Sequence, residues 1–397
     1  MADNRRETWI TGIGMVSSLG EGPETHWQRL NEAKPNVDTK TFAPYIVHPL
    51  AHLDLDKQIP KKGDQRQMEP WQRIGTYAAG LALDSAGAKG NAELLARMDM
   101  IVAAGGGERD FAADGLILTG LSKSEKPDLF LNERLMSDLR PTLFLAQLSN
   151  LLAGNISIVH GVTGSSRTFM GEESAGIDAV RIALARITAG QSDITLVGGA
   201  HNAERKDMLM LYEFGGYAWE GEFRPVWGRG PDGGFASGSL GAFLVLEARE
   251  HAQARGARPI ARLSAVVSER SDRSEGAVTA SLQTMWRQIA GGVDSAKAAI
   301  ISGATGAEPA TREERAFLSD HPELAVRASG THIGHGPEPQ FAMNLAVAAL
   351  AVSKGHLFSA CDDSGFERAM KGPLSQVVVT GVGHWRGEGL GLVEIVR

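Results

Sequence analysis

The chain has 397 residues, 43% of them hydrophobic, which is enough to fill one large α/β unit or two packed halves. This size and composition exclude a disordered chain and a mini-protein. The 40 basic and 47 acidic residues give a formal net charge of −7, so no nucleic-acid partner is expected. No apolar run reaches the roughly 18 residues that a membrane helix needs, and no membrane span is predicted.

Short apolar runs that end in glycine predict buried strands, because β-branched residues favour strands and glycine accepts the backbone angles of close turns. In chain order these runs are Thr8–Gly12, Met100–Gly105, Ile194–Gly199, Ala299–Gly303 and Val377–Gly381, and further strands are predicted at Leu240–Leu246 and Ile260–Val267. Helical spacing of apolar residues predicts helices at Trp71–Ser85, Ser174–Ala189 and Gln340–Val352. This alternation predicts an α/β fold in layers.

A charged segment from Glu247 to Arg258 separates two groups of predicted elements. It predicts a division into residues 1–250 and residues 251–397. No internal repeat is visible in the sequence, so any similarity between the halves is expected to be structural only.

The cysteine content and the first residues predict the compartment. Cys361 is the single cysteine, so no internal disulfide can form. The segment from Met1 to Arg6 is polar and lacks the apolar core of a secretory signal peptide. A reducing, cytoplasmic location is therefore expected.

Two weaker motifs concern cofactors and metals. Gly12-Ile13-Gly14 begins like a dinucleotide-binding loop, but the third glycine of that fingerprint is missing. The pair His332-x-x-His335 offers two potential metal ligands with no third ligand signalled nearby. Neither a cofactor nor a metal site is expected.

Several segments together resemble one family. They are Trp9 to Gly20, Asn150 to Ser157, Val197 to Ala200, Arg224-Pro225 and Leu244 to Glu247. In order and spacing they resemble the β-ketoacyl-ACP synthases, the condensing enzymes of fatty-acid and polyketide synthesis, and most closely the elongating bacterial type II enzymes. The resemblance implies a thiolase fold of two similar halves in five α-β-α-β-α layers, usually dimeric, with acyl carrier protein as a partner.

The family's catalytic cysteine begins a helix twenty-five residues before the first glycine of a Gly-Gly-Ala turn. Here that turn starts at Gly198, and the residue at the cysteine's position is Glu173. A helix N-terminus sharpens a thiolate as a nucleophile but only keeps a carboxylate ionised, and a carboxylate is a poor acyl carrier. The thiol that the family's chemistry requires is therefore missing.

The family's two histidines are only half retained. Its first histidine precedes a glutamate by eleven residues, and here Gly303 stands at that distance before Glu314. The second histidine is matched by His335, without the family's lysine five residues before it. The resemblance therefore assigns Glu173, Gly303 and His335 to the positions of the family's Cys-His-His set, and it predicts that the set is not intact.

The C-terminal glycine-rich loop of the family carries a phenylalanine that gates the acyl channel. Here the loop contains Gly383, His384 and Trp385, and the gating phenylalanines are lost. These three residues are the predicted substrate-binding positions, with Trp385 expected to fill part of the channel.

The first functional interpretation is a condensation-deficient, non-catalytic partner, similar to the chain-length factors that pair with a cysteine-bearing synthase. Chain-length factors typically carry glutamine where this chain has Glu173, so the similarity lies in the loss of the cysteine and not in the residue that replaces it. The partner is expected to be an active paralogue, or a second copy of this chain. The pathway is fatty-acid synthesis, including very-long-chain clusters that serve lipid A, or polyketide synthesis.

Three alternatives remain open. A malonyl-ACP decarboxylase would use His335 to stabilise an enolate, although an anionic Glu173 would repel the malonyl carboxylate. Ser174 as nucleophile would need a nearby base that the flanking motifs do not supply. An active 3-oxoacyl-ACP synthase requires that the alignment at Glu173 be wrong.

Overall fold

The computed structural model describes residues 6–138 and 147–396. The polar start of the chain, up to residue 5, lies outside the described residues. No helix within the described ranges is both long and apolar enough to cross a membrane.

The described strands lie mostly in one large mixed sheet. In chain order they are β1 Thr8–Ser17, β2 Gly20–Glu21, β3 Val47–His48, β4 Asp99–Ala104, β5 Ser166–Met170, β6 Ile194–His201, β7 Ser237–Gly238, β8 Leu240–Ala248, β9 Ala261–Glu269, β10 Ala298–Ser302, β11 Ala325–Ala328, β12 Gln376–Val382 and β13 Glu388–Glu394.

Some of the described helices cover the outer faces of that sheet, and others pack between its two halves. The described helices are α1 Pro23–Glu32, α2 Lys62–Gln67, α3 Pro70–Ser85, α4 Ala92–Arg97, α5 Phe111–Leu121, α6 Pro127–Ser137, α7 Leu151–His160, α8 Glu173–Thr188, α9 Lys206–Phe214, α10 Arg249–Ala254, α11 Ala277–Ile289, α12 Ala310–Ser319, α13 Gly330–Ile333 and α14 Gln340–Lys354. Short 3₁₀ turns occur at 55–57, 226–228 and 290–292.

The strand order shows a structural repeat that is not visible in the sequence. From one edge the order is β5-β4-β6-β8-β1, and from the other edge it is β11-β10-β12-β13-β9. In each half the first three strands are parallel and the last two are antiparallel to their neighbours. The halves join where β1 pairs with β9. A division of the chain near residue 250 remains a prediction, and this strand order is compatible with it.

The two long buried helices α8 and α14 pack against each other and against strands of both halves. Helices α3 and α7 cover the outer face of one half, and α11 and α12 cover the outer face of the other. The largest apolar cluster forms around α8 and α14, between the halves. The result is a layered α/β architecture in which the first turns of α8 and α14 approach each other.

The first strand is longer than predicted. β1 continues past Gly12 to Ser17, where the sequence suggests a loop. An ideal Cβ at Gly14 would lie 1.9 Å from the carbonyl oxygen of Ala78, so this glycine allows α3 to pack directly on the strand. Gly12 has the same function beside Ala82, which explains the motif without a bound dinucleotide.

Candidate functional site

The candidate site lies after the carboxyl ends of parallel strands in both halves, where α/β sheets usually bind ligands. Glu173 is the first residue of α8, two residues after Gly171, whose φ of +135° turns the chain out of β5. Glu172 is the N-cap residue of α8, but its side chain makes no capping hydrogen bond. The Glu173 side chain is 3% exposed and points into the protein.

His335 lies in the segment between α13 and α14, and its backbone is fixed on both sides. Its amide donates to Ala236 O at 2.8 Å, and its carbonyl accepts from the Gly238 amide at 2.9 Å. Gly176 lets the following turn approach α8, because an ideal Cβ there would lie 2.3 Å from Glu338 O. His335 Nε2 consequently lies 2.7 Å from Glu173 Oε1.

His384 belongs to the five-residue turn between β12 and β13. Gly383 N donates to Gly387 O at 2.8 Å, and the Gly383 carbonyl accepts from Arg273 Nη2 at 2.6 Å. The turn is so tight that an ideal Cβ at Gly383 would lie 2.0 Å from Arg386 O. This arrangement directs His384 Nδ1 to Glu173 Oε1 at 2.9 Å, and the His384 backbone amide to the same oxygen at 3.2 Å.

The three side chains share charge in a buried environment. Burial raises the pKa of the Glu173 carboxyl, but the charge of His384 and hydrogen bonds from both imidazoles outweigh it and hold that pKa well below its usual value. Burial also lowers the pKa of His335, despite its hydrogen bond to Glu173. Burial acts the same way on His384, where the adjacent Glu173 charge prevails and raises the pKa. The cluster thus holds an ionised Glu173 whose Oε1 faces three N–H groups.

An aromatic wall surrounds the two imidazoles. The Phe235 ring lies 5.0 Å from the His335 ring and 5.5 Å from the His384 ring, centroid to centroid. Tyr217 packs edge-on against His384 at 4.6 Å. These contacts fix the ring orientations and exclude water from the Glu173 carboxylate.

Gly303 lies directly after β10, and the structure leaves no room for a side chain there. An ideal Cβ would lie 2.6 Å from Thr380 O and 3.4 Å from Asn344 Nδ2. Strands β10 and β12 are thus too close at this point for an imidazole to be accommodated without a backbone shift. Gly303 therefore contributes close packing rather than a functional group.

Glu314 is completely buried below Gly303. It accepts hydrogen bonds from Ser302 Oγ at 2.7 Å and from Thr380 Oγ1. Burial raises the pKa of Glu314 to about 7, because these two hydroxyl donors compensate only partly for the loss of water.

The remaining candidate residues lie outside the buried cluster. Trp385 is 40% exposed, with the Arg386 guanidinium 4.1 Å from the centre of its ring, so it faces outward more than the expected filling of a channel implies. Cys361 Sγ contacts Ala33 O at 3.6 Å, and burial and nearby acidic groups raise the pKa of its thiol. His332 packs against Phe358, away from His335.

The contact between His384 and Glu173 is the feature that sequence reasoning missed. His384 was expected at a substrate-binding position in the loop, and nothing in the order of residues indicates that its ring turns back to α8. The sequence shows a glycine-rich loop at this point, but only the structure shows that its tight Gly383 to Gly387 turn directs the His384 side chain inward.

Comparison with known proteins agrees with this architecture. The family profile described as "Beta-ketoacyl synthase, N-terminal domain" matches residues 5–252. The 3-oxoacyl-[acyl-carrier-protein] synthase 2 of Vibrio cholerae serotype O1 is 27% identical over 269 residues, covering 64% of this chain and 61% of that protein. The match thus spans less than two thirds of that relative's length.

Two solved structures match almost the whole chain. The ishigamide ketosynthase/chain length factor has a TM-score of 0.80 at 19% identity, covering 99% of this chain and 100% of that one. A type II polyketide synthase acyl-carrier protein in complex with its ketosynthase matches with a TM-score of 0.75 at 18% identity, with the same coverage. These similarities confirm the thiolase-like fold.

Proposed function

This chain belongs to the β-ketoacyl synthase family, and we propose that it is a condensation-deficient member acting as a chain-length-factor-like partner of a cysteine-bearing synthase. The proposal covers fatty-acid synthesis, very-long-chain clusters for lipid A included, and polyketide synthesis. Acyl carrier protein is the carrier from which the complex would take its substrates.

The observation that carries the proposal is the occupied nucleophile position. Condensation requires a group that holds the acyl chain and N–H donors that stabilise the enolate of the malonyl unit. Glu173 is at the position of the first, and its own carboxylate uses the N–H groups of His335 and His384. The chain therefore supplies neither function.

The same hydrogen bonds argue against the malonyl-ACP decarboxylase. A malonyl thioester would have to displace Glu173 from His335 before its carbonyl oxygen could accept a hydrogen bond there. Because the pKa of Glu173 is held well below its usual value by the adjacent imidazoles, despite burial, the carboxylate is anionic and repels the malonyl carboxylate. Ser174 as nucleophile lacks a base, since both imidazoles bond to Glu173 instead.

The exposed edge of the sheet supports a partner. Among the described strands, β5 is the outermost of its half, and an exposed edge of this kind tends to pair with another chain. Large apolar side chains nearby are exposed, including Met170 on β5 at 74% and Ile158 on α7 at 71%. Such clustered exposure marks protein interfaces. The partner in this proposal is a cysteine-bearing paralogue, and a second copy of this chain is the alternative.

The experiment is product analysis with acyl-ACP and malonyl-ACP, following 3-ketoacyl-ACP and released carbon dioxide. The protein is assayed alone and together with a cysteine-bearing synthase from the same cell. The proposal predicts no product from this protein alone and a changed product length when it is added to the synthase. Ketoacyl product from this protein alone would identify an active synthase, and carbon dioxide without ketoacyl product would identify a decarboxylase; either result overturns the proposal.

A further inference from the structure

The buried cluster of Glu173, His335 and His384 has a chemistry that the partner role does not use. One carboxylate oxygen and two imidazole nitrogens of these residues lie within 4.8 Å of one another. All three side chains are at most 6% exposed. Two histidines and one glutamate are a frequent ligand set for zinc and similar first-row ions.

The distances between the ligand atoms are close to those of a coordinated ion. Two ligands bound at zinc distances with a tetrahedral angle between them are about 3.3 Å apart. Glu173 Oε1 lies 2.7 Å from His335 Nε2 and 2.9 Å from His384 Nδ1, and no two of the three ligand atoms are more than 4.8 Å apart. Separations that must open by roughly half an ångström need only small side-chain rotations.

Charge also favours a cation at this point. The carboxylate is negative, and the cluster without an ion is held together by protons that Glu173 shares with the two imidazoles. A divalent ion would replace those protons and keep both imidazoles neutral, as metal ligation requires. No carboxylate besides Glu173 belongs to the described cluster.

The ligands are held in place before any ion arrives. The backbone of His335 is fixed by Ala236 and Gly238, and Phe235 packs against both imidazoles. Preorganised ligands and an apolar surround are characteristic of metal centres. His332, the second histidine of the His332-x-x-His335 pair, packs elsewhere, so this set differs from the one that the sequence offered.

We propose that Glu173, His335 and His384 form a binding site for one divalent first-row transition-metal ion of the zinc type. Three protein ligands leave the fourth tetrahedral position to water or to the second oxygen of Glu173. The proposal is independent of the partner role: the cluster occupies the nucleophile position with or without an ion.

The test is titration of untagged, chelator-treated protein with Co²⁺ and with Zn²⁺. Co²⁺ reports ligand geometry through its visible absorption, and calorimetry with Zn²⁺ gives stoichiometry and affinity. We expect one ion per chain, an intense tetrahedral Co²⁺ spectrum that Zn²⁺ abolishes, and a higher melting temperature with Zn²⁺. The matched variants are Glu173→Gln and His384→Ala, each expected to weaken binding more than about 100-fold, because a direct ligand is lost.

Two controls separate this site from surface binding. Glu172→Gln changes the neighbouring carboxylate, which lies 3.7 Å from Arg386, and Cys361→Ser removes the single thiol; both should bind Zn²⁺ like the unmodified protein. The wild-type Co²⁺ spectrum keeps the test valid if a ligand variant fails to fold. Absence of stoichiometric Zn²⁺ binding, an octahedral Co²⁺ spectrum, or unchanged affinity in folded His384→Ala protein would overturn the proposal.

Discussion

Glu173 Oε1 accepts a hydrogen bond from His335 Nε2 at 2.7 Å, so the residue at the nucleophile position occupies the imidazole that the family's chemistry would need. A thiol at position 173 would leave that nitrogen available to a substrate carbonyl. In the proposed function the two positions are thus coupled, because the residue that stands in place of the family's cysteine also occupies His335.

The ion pair between Glu173 and His384 should contribute strongly to stability. Both side chains are buried, and removal of one partner from a buried pair commonly costs about 3–5 kcal/mol, because the other charge stays desolvated. We expect His384→Ala to lower the free energy of unfolding by about 3 kcal/mol, and Glu173→Gln by less, since an amide carries no charge. Denaturant unfolding measures both, with Glu172→Gln as a control expected within about 0.5 kcal/mol of wild type. A His384→Ala loss as small as the control's would contradict a buried ion pair.

Glu314 should make stability depend on pH. Burial raises its pKa from 4.5 to about 7 in the folded protein, so between these values the native state binds more protons than the unfolded chain. The free energy of unfolding therefore falls as pH rises through this window. Glu314→Gln removes that contribution, and its stability relative to wild type should rise by about 2 to 3 kcal/mol between pH 5 and pH 8.

Urea titrations at several pH values would measure this slope. Glu93→Gln is a surface control, since the Glu93 side chain is 80% exposed and its partner Arg97 keeps its charge over this range, and its difference from wild type should not vary with pH in this way. If the Glu314→Gln difference also stays constant from pH 5 to pH 8, Glu314 is ionised throughout and the account of its environment is wrong.

Restoring the thiol should not restore condensation. Glu173→Cys supplies a nucleophile and releases His335, but Gly303 still provides no imidazole, and the contact of its ideal Cβ with Thr380 O at 2.6 Å shows that one cannot simply be added. We expect no 3-ketoacyl-ACP from this variant when it is assayed without a partner. Robust turnover would show that a single replacement, and not two, separates this chain from an active synthase.

The open edge at β5 should carry the partner contact. The variants Ile158→Asp and Met170→Asp each introduce a charge at this edge. The two native side chains are 71% and 74% exposed, so the stability of the isolated protein should change little. Co-elution with the cysteine-bearing synthase should weaken at least tenfold, because an unpaired charge would be buried at the interface. Ile395→Asp, at a less exposed position after β13 (38%), is the control away from this edge, and equal weakening by all three variants would exclude the β5 edge.

Much of the fold followed from the spacing of apolar residues. The strands around Val197, Ile301 and Val378 and the helices α3, α8 and α14 are present close to the predicted bounds, because each carries a continuous buried pattern. Helices α5 and α6 were not predicted. Their apolar residues, such as Leu116 and Leu118, are exposed, so no buried stripe gives them a helical period.

The site was predicted in part for similar reasons. The resemblance to the family pointed to Glu173 through its twenty-five-residue distance from Gly198, and in the structure α8 begins at Glu173. The ring of His384 could not be assigned to Glu173, since their contact joins residues 211 positions apart through a turn whose direction depends on Arg273 and Gly387. The repeated strand order likewise depends on which strands pair with each other, and no sequence similarity between the two halves indicates it.

The most direct test of the central claim is the intact mass of each subunit after exposure to acyl-ACP. This chain and a cysteine-bearing synthase from the same cell are incubated together with acyl-ACP and separated, and the mass of each is measured by mass spectrometry. The account predicts an acyl adduct on the partner's cysteine and an unchanged mass for this chain, because Glu173 is held ionised between His335 and His384 and carries no acyl group. An acyl adduct on this chain would contradict the claim that its nucleophile position is inactive.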